Sequence, residues 1–456
     1  MFDYTLTDSF TLDPNNRWMK MARCVPWALA EEKYMHMFRK NGRPAKQIRM
    51  ALGSLIIQEK LQCSDEDTVL AIMENPYLQH FIGLTKFMNE APFHASLMVW
   101  FRKRLSKKFM EEINDAMVRK AAQPEEEYRD DDDDPHGGTL IVDATCTPAD
   151  IEYPTDTGLL AEAIEKTDEI IDELHEPHKG ERPRPRTYRQ RSRRVFVEFV
   201  KRRKPGGKLI RKVKGKLLNY LRRNLGVIHQ MLESGAVLQP KRLEQLAIIE
   251  EMYAQQREMY QNRTQSTENR IVSLSQPHIR PIVRGKAGKR VEFGAKINMS
   301  LVNGYVFLDK IDYNNFHEGN LLELSILNYH DRFGVWPSVV LADRAYVTRD
   351  NRAMCKILGG IRLMGKPLGR PRKDEPEWDG KEDIAHRVEI EGSFGILKTR
   401  YGWERIRTRL PETDTTTIWM AAFVMNLVKR ARSLLRAFRF ALLSRRLCHF
   451  NGFIAA

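Results

Sequence analysis

The first 122 residues show apolar positions at helical spacing, broken by polar capping signals. Residues 46–61 follow a proline and repeat apolar side chains every three to four positions. Residues 64–76 open with Ser64 and a run of acids, which is typical of a capped helix N-terminus. Residues 92–121 form one long amphipathic segment with a basic middle. We therefore predict that residues 1–122 are a helical DNA-binding domain of helix-turn-helix type; a helical packing or dimerisation domain has the same pattern.

Two apolar runs later in the chain each stop at an aspartate. The first lies in the segment 139–153 and ends before Asp143, and the second lies in the segment 337–346 and ends before Asp343. Continuous apolar runs of this length are expected of strands that are covered on both faces. The pattern therefore predicts two buried strands, each with an acid at or near its carboxyl end.

The remaining pattern after residue 280 alternates strands with helices. Asn303-Gly304 separates two apolar-rich runs within residues 290–313, which is a strong hairpin signal. The order strand, hairpin, helix, strand, helix, short strand, helix predicts a mixed α/β domain of ribonuclease H type, with an all-α region in front. The segments that complete this order are predicted to be helices at 320–334, 348–359 and 385–402 and a short strand at 359–367.

Changes of composition mark the boundaries between regions. An acidic stretch bounded by proline and glycine is predicted to be a linker, and a densely basic stretch at 179–224 lies within a helical insertion. The insertion includes helices predicted at 159–175 and 243–263, and the chain closes with a long amphipathic helix. The predicted divisions are a helical domain at 1–122, a linker at 123–138, a catalytic domain at 139–410 with its insertion at about 157–280, and a helical segment at 411–456.

Charge narrows the classes of partner. The chain has 75 Lys and Arg against 60 Asp and Glu, a formal net charge of +15, which favours a polyanion or an anionic membrane surface. The five cysteines are scattered and form no CxxC pair, so we expect neither a disulfide framework nor a zinc site. No signal peptide is evident at the N-terminus, and the apolar stretch 418–428 is too short to span a bilayer. We expect a cytoplasmic, nucleoid-associated protein without a membrane partner.

Three carboxylates stand out as candidates for one site. Ligands of open α/β sheets bind beyond the carboxyl ends of the strands, where Asp143 and Asp343 are predicted to lie. At about 100° per residue, Arg387, Glu391 and Lys398 fall within about 40° on one helix face. Two structural alternatives stay open: Asp343 caps a helix that begins near Thr348, and Arg387 with Glu391 is a surface ion pair.

These residues carry a resemblance to a known family. "DRAY" at 343–346, followed by an R-x3-E-x6-K signature, resembles the DDE transposases of the IS4/IS5 superfamily. "LIVDATCTPADIEYPTD" at 140–156, "DELH" at 172–175 and the basic insertion resemble the IS1182-like/IS5-type group, and the N-terminal segment resembles that of InsH-type transposases. The chain departs from the family at Ile384, where the signature has a tyrosine three residues before the arginine.

The resemblance implies a two-metal-ion phosphoryl transfer on DNA. Carboxylate oxygens are hard ligands that select Mg²⁺ or Mn²⁺, and such enzymes hold two ions about 3.5–4 Å apart. We expect Asp143 to bridge both ions, with Asp343 and Glu391 each completing one, so that these three are both the catalytic and the metal-binding residues. Asp150, seven residues after Asp143, is the alternative for the first position.

The resemblance also implies residues that hold DNA. Three aromatic residues are interleaved in the basic stretch, namely Tyr188, Phe196 and Phe199. This pattern favours a DNA clamp, although a solvated basic helical hairpin has the same composition. The DNA-binding residues that we predict are Arg344, Tyr346, Arg387, Lys398 and Tyr401 near the acids, and Arg193, Arg194, Lys201, Arg202 and Arg203 in the insertion.

The expected function is therefore that of a transposase. It would bind the terminal inverted repeats of an insertion sequence, cut there and join the ends to target DNA, acting as a homo-oligomer, a dimer on DNA, because two ends must be brought together. Three alternatives remain open: a metal-dependent DNA nuclease of the same fold without strand transfer, a domesticated DNA-binding protein without catalysis, and a protein that binds a membrane surface through its C-terminal helix.

Overall fold

The computed structural model describes residues 5–7, 10–37, 45–124, 135–283, 291–364 and 381–454. The predicted acidic linker at 123–138 falls mostly outside these ranges. The chain divides into two compact units. The first unit comprises residues 1–148, 296–312 and 316–456, and the second comprises residues 149–295 with 313–315. The predicted domain boundaries stay predictions.

The N-terminal part of the first unit is helical, as its pattern predicts. The Ser64 side chain accepts the backbone N–H of Asp67 and so caps one of the predicted helices. The segment 92–121 is two helices and not one, because the chain turns at Leu105 and the Ser106 hydroxyl starts a new helix by capping Phe109 N–H. The elements are strands β1 (Thr5–Thr7) and β2 (Phe10–Thr11) and helices α1 (Arg17–Cys24), α2 (Trp27–Met35), α3 (Ile48–Leu61), α4 (Asp65–Glu74), α5 (Pro76–Phe81), α6 (Leu97–Arg104) and α7 (Lys107–Ala122).

A mixed sheet follows, and it confirms the predicted α/β class. Strand β3 runs parallel to β7, which runs parallel to β8, while β5 and β6 form an antiparallel hairpin beside β3. The hairpin turn is the predicted Asn303-Gly304, and both residues have positive φ, 49° and 70°. The strands are β3 (Thr139–Pro148), β4 (Arg280–Val283), β5 (Val291–Val302), β6 (Tyr305–Asp312), β7 (Val339–Ala342) and β8 (Arg362–Met364).

The second unit is a helical bundle with a short strand pair. Apolar side chains of its helices form one buried cluster, as expected for amphipathic helices of this length. β4 pairs antiparallel with the first residues of β5, a strand that the sequence pattern did not predict. The helices are α8 (Asp156–His175), α9 (Arg189–Val200), α10 (Gly207–Glu233) and α11 (Pro240–Asn262), with a short 3₁₀ turn at Glu176–His178.

The helices that follow the sheet hairpin complete the first unit. Gly334, with φ 74°, ends the predicted helix before β7, and its N–H donates to the backbone carbonyl of His330. The elements are α12 (Leu322–Phe333), α13 (Arg349–Ile357), α14 (Lys381–Arg400) and α15 (Pro411–Ile454), with 3₁₀ turns at Glu318–Leu321 and Arg344–Tyr346. No helix among the described residues is both long enough and apolar enough to cross a membrane.

The helix α15 joins the N-terminal helices to the sheet in one core. It packs against α1, α3, α6, α7 and β6. The Asn426 side chain accepts the backbone N–H of Val306 at 2.9 Å, donates to the Val306 carbonyl at 2.7 Å, and donates to Asn114 on α7. A buried amide thus satisfies the edge of β6 as a further strand would. The sheet that carries the candidate site therefore rests on helices from both ends of the chain.

Candidate active site

Asp143 and Asp343 are neighbours in the sheet register. β3 and β7 are parallel, with Val142 opposite Ala342, so each aspartate follows the last paired residue of its strand. Each accepts the backbone N–H of the next residue, Ala144 at 2.7 Å and Arg344 at 2.6 Å. Asp143 was predicted at or near the carboxyl end of its strand, but β3 continues for five more residues to Pro148. Asp143 instead lies where the partner strand β7 stops.

Asp343 is not the cap of the helix that follows it. Its carboxylate caps the short turn Arg344–Tyr346, whereas the Thr348 hydroxyl caps α13 by accepting Asn351 N–H. The Asp343 side chain is 52% exposed. Its oxygens are therefore accessible for a ligand beyond the end of β7.

Arg387 connects Asp343 to Glu391. Its guanidinium lies 3.0 Å from Asp343 Oδ1 and 3.5 Å from Glu391 Oε1. α14 lies against β3 and β7 and buries the stripe Ile390, Phe394, Leu397 and Tyr401. The i,i+4 ion pair expected on the helix surface is present, but the same arginine also reaches the strand-end acid. Three of the predicted site residues thus meet through direct contacts.

Two predicted DNA-binding tyrosines are buried, which corrects their expected role. Tyr346 is completely buried, and its hydroxyl donates to Asn298 Oδ1 at 2.6 Å. Tyr401 is 7% exposed and has Lys60 over its ring. At about 100° per residue, Tyr401 falls in the middle of the buried stripe of α14 and not on its exposed edge with Glu391. Both rings are part of the core, and neither is exposed for contact with a ligand.

The other cations predicted near the acids remain accessible. Arg344 is exposed in the turn directly after Asp343. Lys398 is half-buried in the last turn of α14. Ile384, which stands where the family has a tyrosine, is 51% exposed about one turn before Arg387. The exposed edge of α14 therefore presents an aliphatic side chain where the family presents an aromatic one.

The environment of Asp143 favours its protonated form in the absence of a cation. The pKa of Asp143 is raised to about 6, mainly by burial and also by the negative charges of Glu318 and Asp343, while Ala144 N–H and Arg387 oppose the shift. Burial also raises the pKa of Tyr346, with added effects from Glu318 and Asp143. These acids share one local region of negative potential.

Glu318 belongs to this acidic region and was not found from the sequence. It pairs with Lys296 at 2.9 Å and lies in the turn Glu318–Leu321, which packs on the turn Arg344–Tyr346. Asn351 Nδ2 holds the two turns together by donating to the Gly319 and Tyr346 carbonyls at 2.8 and 2.7 Å. An acid just before a helix has no periodic signal. Only the close packing of the two turns brings it near Asp143.

The three candidate carboxylates have the donor chemistry that a hard divalent cation requires. Asp143, Asp343 and Glu391 supply carboxylate oxygens, the ligands that Mg²⁺ and Mn²⁺ prefer. Among the described residues, no three acidic, histidine or cysteine side chains are already close enough to hold an ion. In this arrangement the Arg387 guanidinium is the cation that Asp343 and Glu391 share. Asp150, the alternative ligand, belongs to the second unit, where its backbone carbonyl accepts Gln276 Nε2.

The predicted basic residues of the insertion are exposed within the second unit. Phe196 and Phe199 pack against the hydrophobic cluster of that unit, so they support α9 and are not free to stack on bases, contrary to the predicted interleaving. The exposed cations are Arg193 and Arg194 on α9 and Lys201, Arg202 and Arg203 in the turn that follows it.

Comparison with known proteins supports the resemblance. The model of a transposase DDE domain matches residues 340–428, and the model of a transposase domain (DUF772) matches residues 7–104. An uncharacterized protein, ORF8 of an nfe locus in Rhizobium meliloti, is 33% identical over 159 residues, which are 34% of this chain and 72% of that protein. No solved structure matches the chain significantly. The first match contains Asp343, Arg387 and Glu391.

Proposed function

The chain belongs to the DDE transposases of mobile elements, and on that basis we propose that it binds the terminal inverted repeats of an insertion sequence and catalyses cleavage and strand transfer of DNA there. The observation that carries the proposal is the connection of Asp343 to Glu391 through Arg387. Asp143 lies next to Asp343, because the residues before them are paired in neighbouring strands. The antiparallel hairpin β5–β6 followed by parallel β3, β7 and β8 supports a ribonuclease H-like organisation.

Asp143, Asp343 and Glu391 are the residues that would hold the divalent ions. When bound, such ions supply Lewis-acid activation of a water or 3′-hydroxyl and charge relief at the leaving oxygen. The raised pKa of Asp143 supports this assignment, because a partly buried carboxylate beside other acids gains most from a nearby cation. Its hydrogen bond from Ala144 N–H fixes one carboxylate oxygen and leaves the other for a ligand.

The neighbouring cations position the DNA backbone. Arg387 and Arg344 lie at the edge of the acidic region, and a guanidinium fork matches the oxygens of a phosphate. Lys398, on the same helix, contributes a further charge. Release of Arg387 from Asp343 and Glu391 to a phosphate would both orient the DNA strand and free the two carboxylates. The exposed cations of the insertion add sequence-independent affinity for DNA.

The proposed reaction also bears on the oligomeric state and the location of the protein. Two transposon ends must be held together, so we propose a dimer on DNA. The net charge of +15 suits a protein that stays on DNA in the cytoplasm, in the nucleoid.

The test uses DNA taken from both flanks of the gene, containing its matched terminal repeats. Wild-type protein with Mg²⁺ or Mn²⁺ should cut the ends and join pre-cleaved ends to target DNA. Asp343→Asn should lower the cleavage rate by at least about 10²-fold, because positioning and charge stabilisation at the scissile bond depend on it. Asp331→Asn, which removes an exposed carboxylate of α12, is the control and should act as wild type.

Each outcome separates the alternatives. Cleavage without joining of pre-cleaved ends would make the protein a nuclease and not a transposase. Full cleavage by Asp343→Asn would remove the catalytic assignment, and DNA binding without cleavage by the wild type would leave a non-catalytic DNA-binding protein.

A further inference from the structure

The arginines around the start of α9 fall into two groups with different partners. Arg189 pairs with Asp172 at 2.6 Å and with buried Asp168 at 3.4 Å, and Arg184 pairs with Asp172 as well. Asp172 is the first residue of the "DELH" segment on α8. These ion pairs tie the chain before α9 to α8, so the position of the α9 N-terminus is fixed from within the second unit.

The second group of arginines gathers around one aromatic ring. The guanidinium carbons of Arg223, Arg186 and Arg191 lie 4.8, 5.4 and 5.8 Å from the centroid of the Tyr188 ring. The centroid of the Tyr220 ring lies 5.8 Å from the centroid of the Tyr188 ring. All three arginines are exposed, whereas Tyr188 is half-buried. Arg186 and Arg191 flank Tyr188 in the sequence, whereas Arg223 comes from α10, so only folding completes the cluster.

These three charges have no acidic partner among the described residues. Within the described part of the chain, no carboxylate lies within ion-pairing distance of Arg186, Arg191 or Arg223, although Arg184 and Arg189 beside them are both paired. A cation–π contact at an exposed site contributes only about 0.5–1 kcal/mol and does not neutralise the guanidinium. Three like charges held around one ring therefore favour an external anion.

The backbone at this point adds to the positive potential. α9 begins at Arg189 with Tyr188 as its N-cap residue, and no side chain caps the first turn. The N-terminal N–H groups of a helix and its dipole both favour a negatively charged group. The uncapped turn and the three arginines thus lie at one place.

We propose that Arg186, Arg191 and Arg223, organised by Tyr188, form a binding site for backbone phosphates of duplex DNA. The choice of DNA as the source of the phosphates rests on the proposed function. The Tyr188 ring is occupied by guanidinium groups and by Tyr220, so it orients the arginines and does not stack on a base. Guanidinium forks match phosphate oxygens, and such contacts position DNA without reading its sequence.

The site differs from the exposed cations predicted in the insertion. Arg193 and Arg194 lie further along α9, and Lys201, Arg202 and Arg203 follow its end. Among the described contacts, none of these five side chains is held over an aromatic ring. A rigid cluster loses less side-chain entropy on binding than freely rotating side chains do.

The experiment measures binding of the full-length protein to a fluorescent DNA duplex of arbitrary sequence, by anisotropy, across a series of salt concentrations. The test variant is Arg186→Gln/Arg191→Gln/Arg223→Gln. The control is Lys241→Gln/Arg257→Gln/Arg263→Gln, which removes the same charge from exposed positions at and after α11. The slope of log K against log salt should fall by about 2–3 in the test variant, because each phosphate contact contributes about 0.9. The control should keep the wild-type slope.

Tyrosine variants separate the scaffold from the charges. Tyr188→Phe keeps the ring and should bind as wild type. Tyr188→Ala should lower the slope of log K against log salt, although all three arginines are still present. An unchanged slope in the arginine variant, or an equal loss in the control, would overturn the proposal. Stronger competition by duplex RNA than by DNA would overturn the choice of DNA. The catalytic proposal is tested independently by Asp343→Asn, since the binding measurement needs no cleavage.

Discussion

Asp143 and Asp343 each follow one member of the same register pair, Val142 opposite Ala342, on neighbouring parallel strands. Two carboxylates separated by two hundred positions in the chain are therefore placed side by side by backbone hydrogen bonding alone. Arg387 then adds Glu391 to Asp343 from the helix that covers these strands.

Asp143→Asn should stabilise the metal-free protein near neutral pH and not in acid. The pKa of Asp143 is raised to about 6, mainly by burial, so between about pH 4 and 6 the folded protein retains a proton that the unfolded chain has lost. The free energy of unfolding therefore falls across that window, by up to about 3 kcal/mol. Asparagine avoids this loss. Thermal unfolding with a chelator should show a higher Tm for the variant at about pH 8 and an equal Tm at about pH 3.5. A gain of the same size at both values would contradict the prediction.

Arg387→Ala should strengthen metal binding while weakening cleavage. The guanidinium competes with a divalent ion for Asp343 and Glu391, and an exposed pair of this kind contributes at most about 1 kcal/mol. The affinity for Mn²⁺ without DNA should rise about two- to fivefold, measured from the paramagnetic signal of the free ion. Arg349→Ala, at an exposed position on α13, should leave the affinity unchanged. Weaker Mn²⁺ binding by Arg387→Ala would show that the arginine does not occupy the cation position.

Gly319→Ala should separate the two turns beside the site. A Cβ at Gly319 would lie 2.4 Å from the Ala345 carbonyl oxygen, so the turn that carries Glu318 must move. We expect a loss of about 1–3 kcal/mol in the free energy of unfolding, together with slower DNA cleavage. Gly392→Ala, on α14 with open space around the position, should instead stabilise the helix by about 1 kcal/mol. Chemical denaturation measures both, and equal effects of the two variants would refute the packing argument.

Tyr346→Phe should affect stability and leave DNA binding unchanged. The lost hydroxyl leaves the buried Asn298 Oδ1 without its donor, which costs about 1–3 kcal/mol. The ring itself is inaccessible, so the affinity for duplex DNA should equal that of the wild type. Tyr153→Phe, at a side chain that is 74% exposed, should change neither quantity. A selective loss of DNA affinity in Tyr346→Phe would contradict this expectation and support the DNA contact that the sequence predicted for Tyr346.

Arg332→Met should lower the free energy of unfolding of the first unit more than the removal of any exposed charge does. Arg332 is buried and pairs with Asp309 at 3.1 Å and with Asp115 and Glu111 of α7, both at 3.2 Å. Removing the cation leaves buried carboxylates without a partner, at a cost of about 3–5 kcal/mol. Denaturant titration should show this loss, whereas Arg362→Met on β8 should change the free energy of unfolding by no more than about 0.5 kcal/mol. Equal stability of the two variants would show that the network contributes nothing.

Local pattern was sufficient for most elements of the fold. The Asn303-Gly304 turn, the cap at Ser64 and the end of α12 at Gly334 all depend on the backbone preferences of a few adjacent residues. Such preferences act within one turn of the chain, so they are visible in the sequence. The break between α6 and α7 was missed because the amphipathic pattern continues through Leu105 and only a single serine marks the new start.

The sequence by itself determined which acids could meet, and the tertiary structure decided what surrounds them. An apolar run followed by an aspartate indicates where a strand loses its cover on one face, because an unpaired buried charge is costly. Only the pairing of the strands showed that Asp143 lies inside β3, where the partner strand β7 stops. Helical spacing likewise put Arg387 and Glu391 on one face, but it could not say that the adjacent stripe with Tyr401 is the one that is buried. The proximity of Glu318 to Asp143, the burial of Tyr346 and the position of Arg223 over Tyr188 all join segments distant in sequence. Contacts of that kind depend on how whole elements pack, and no local preference encodes them.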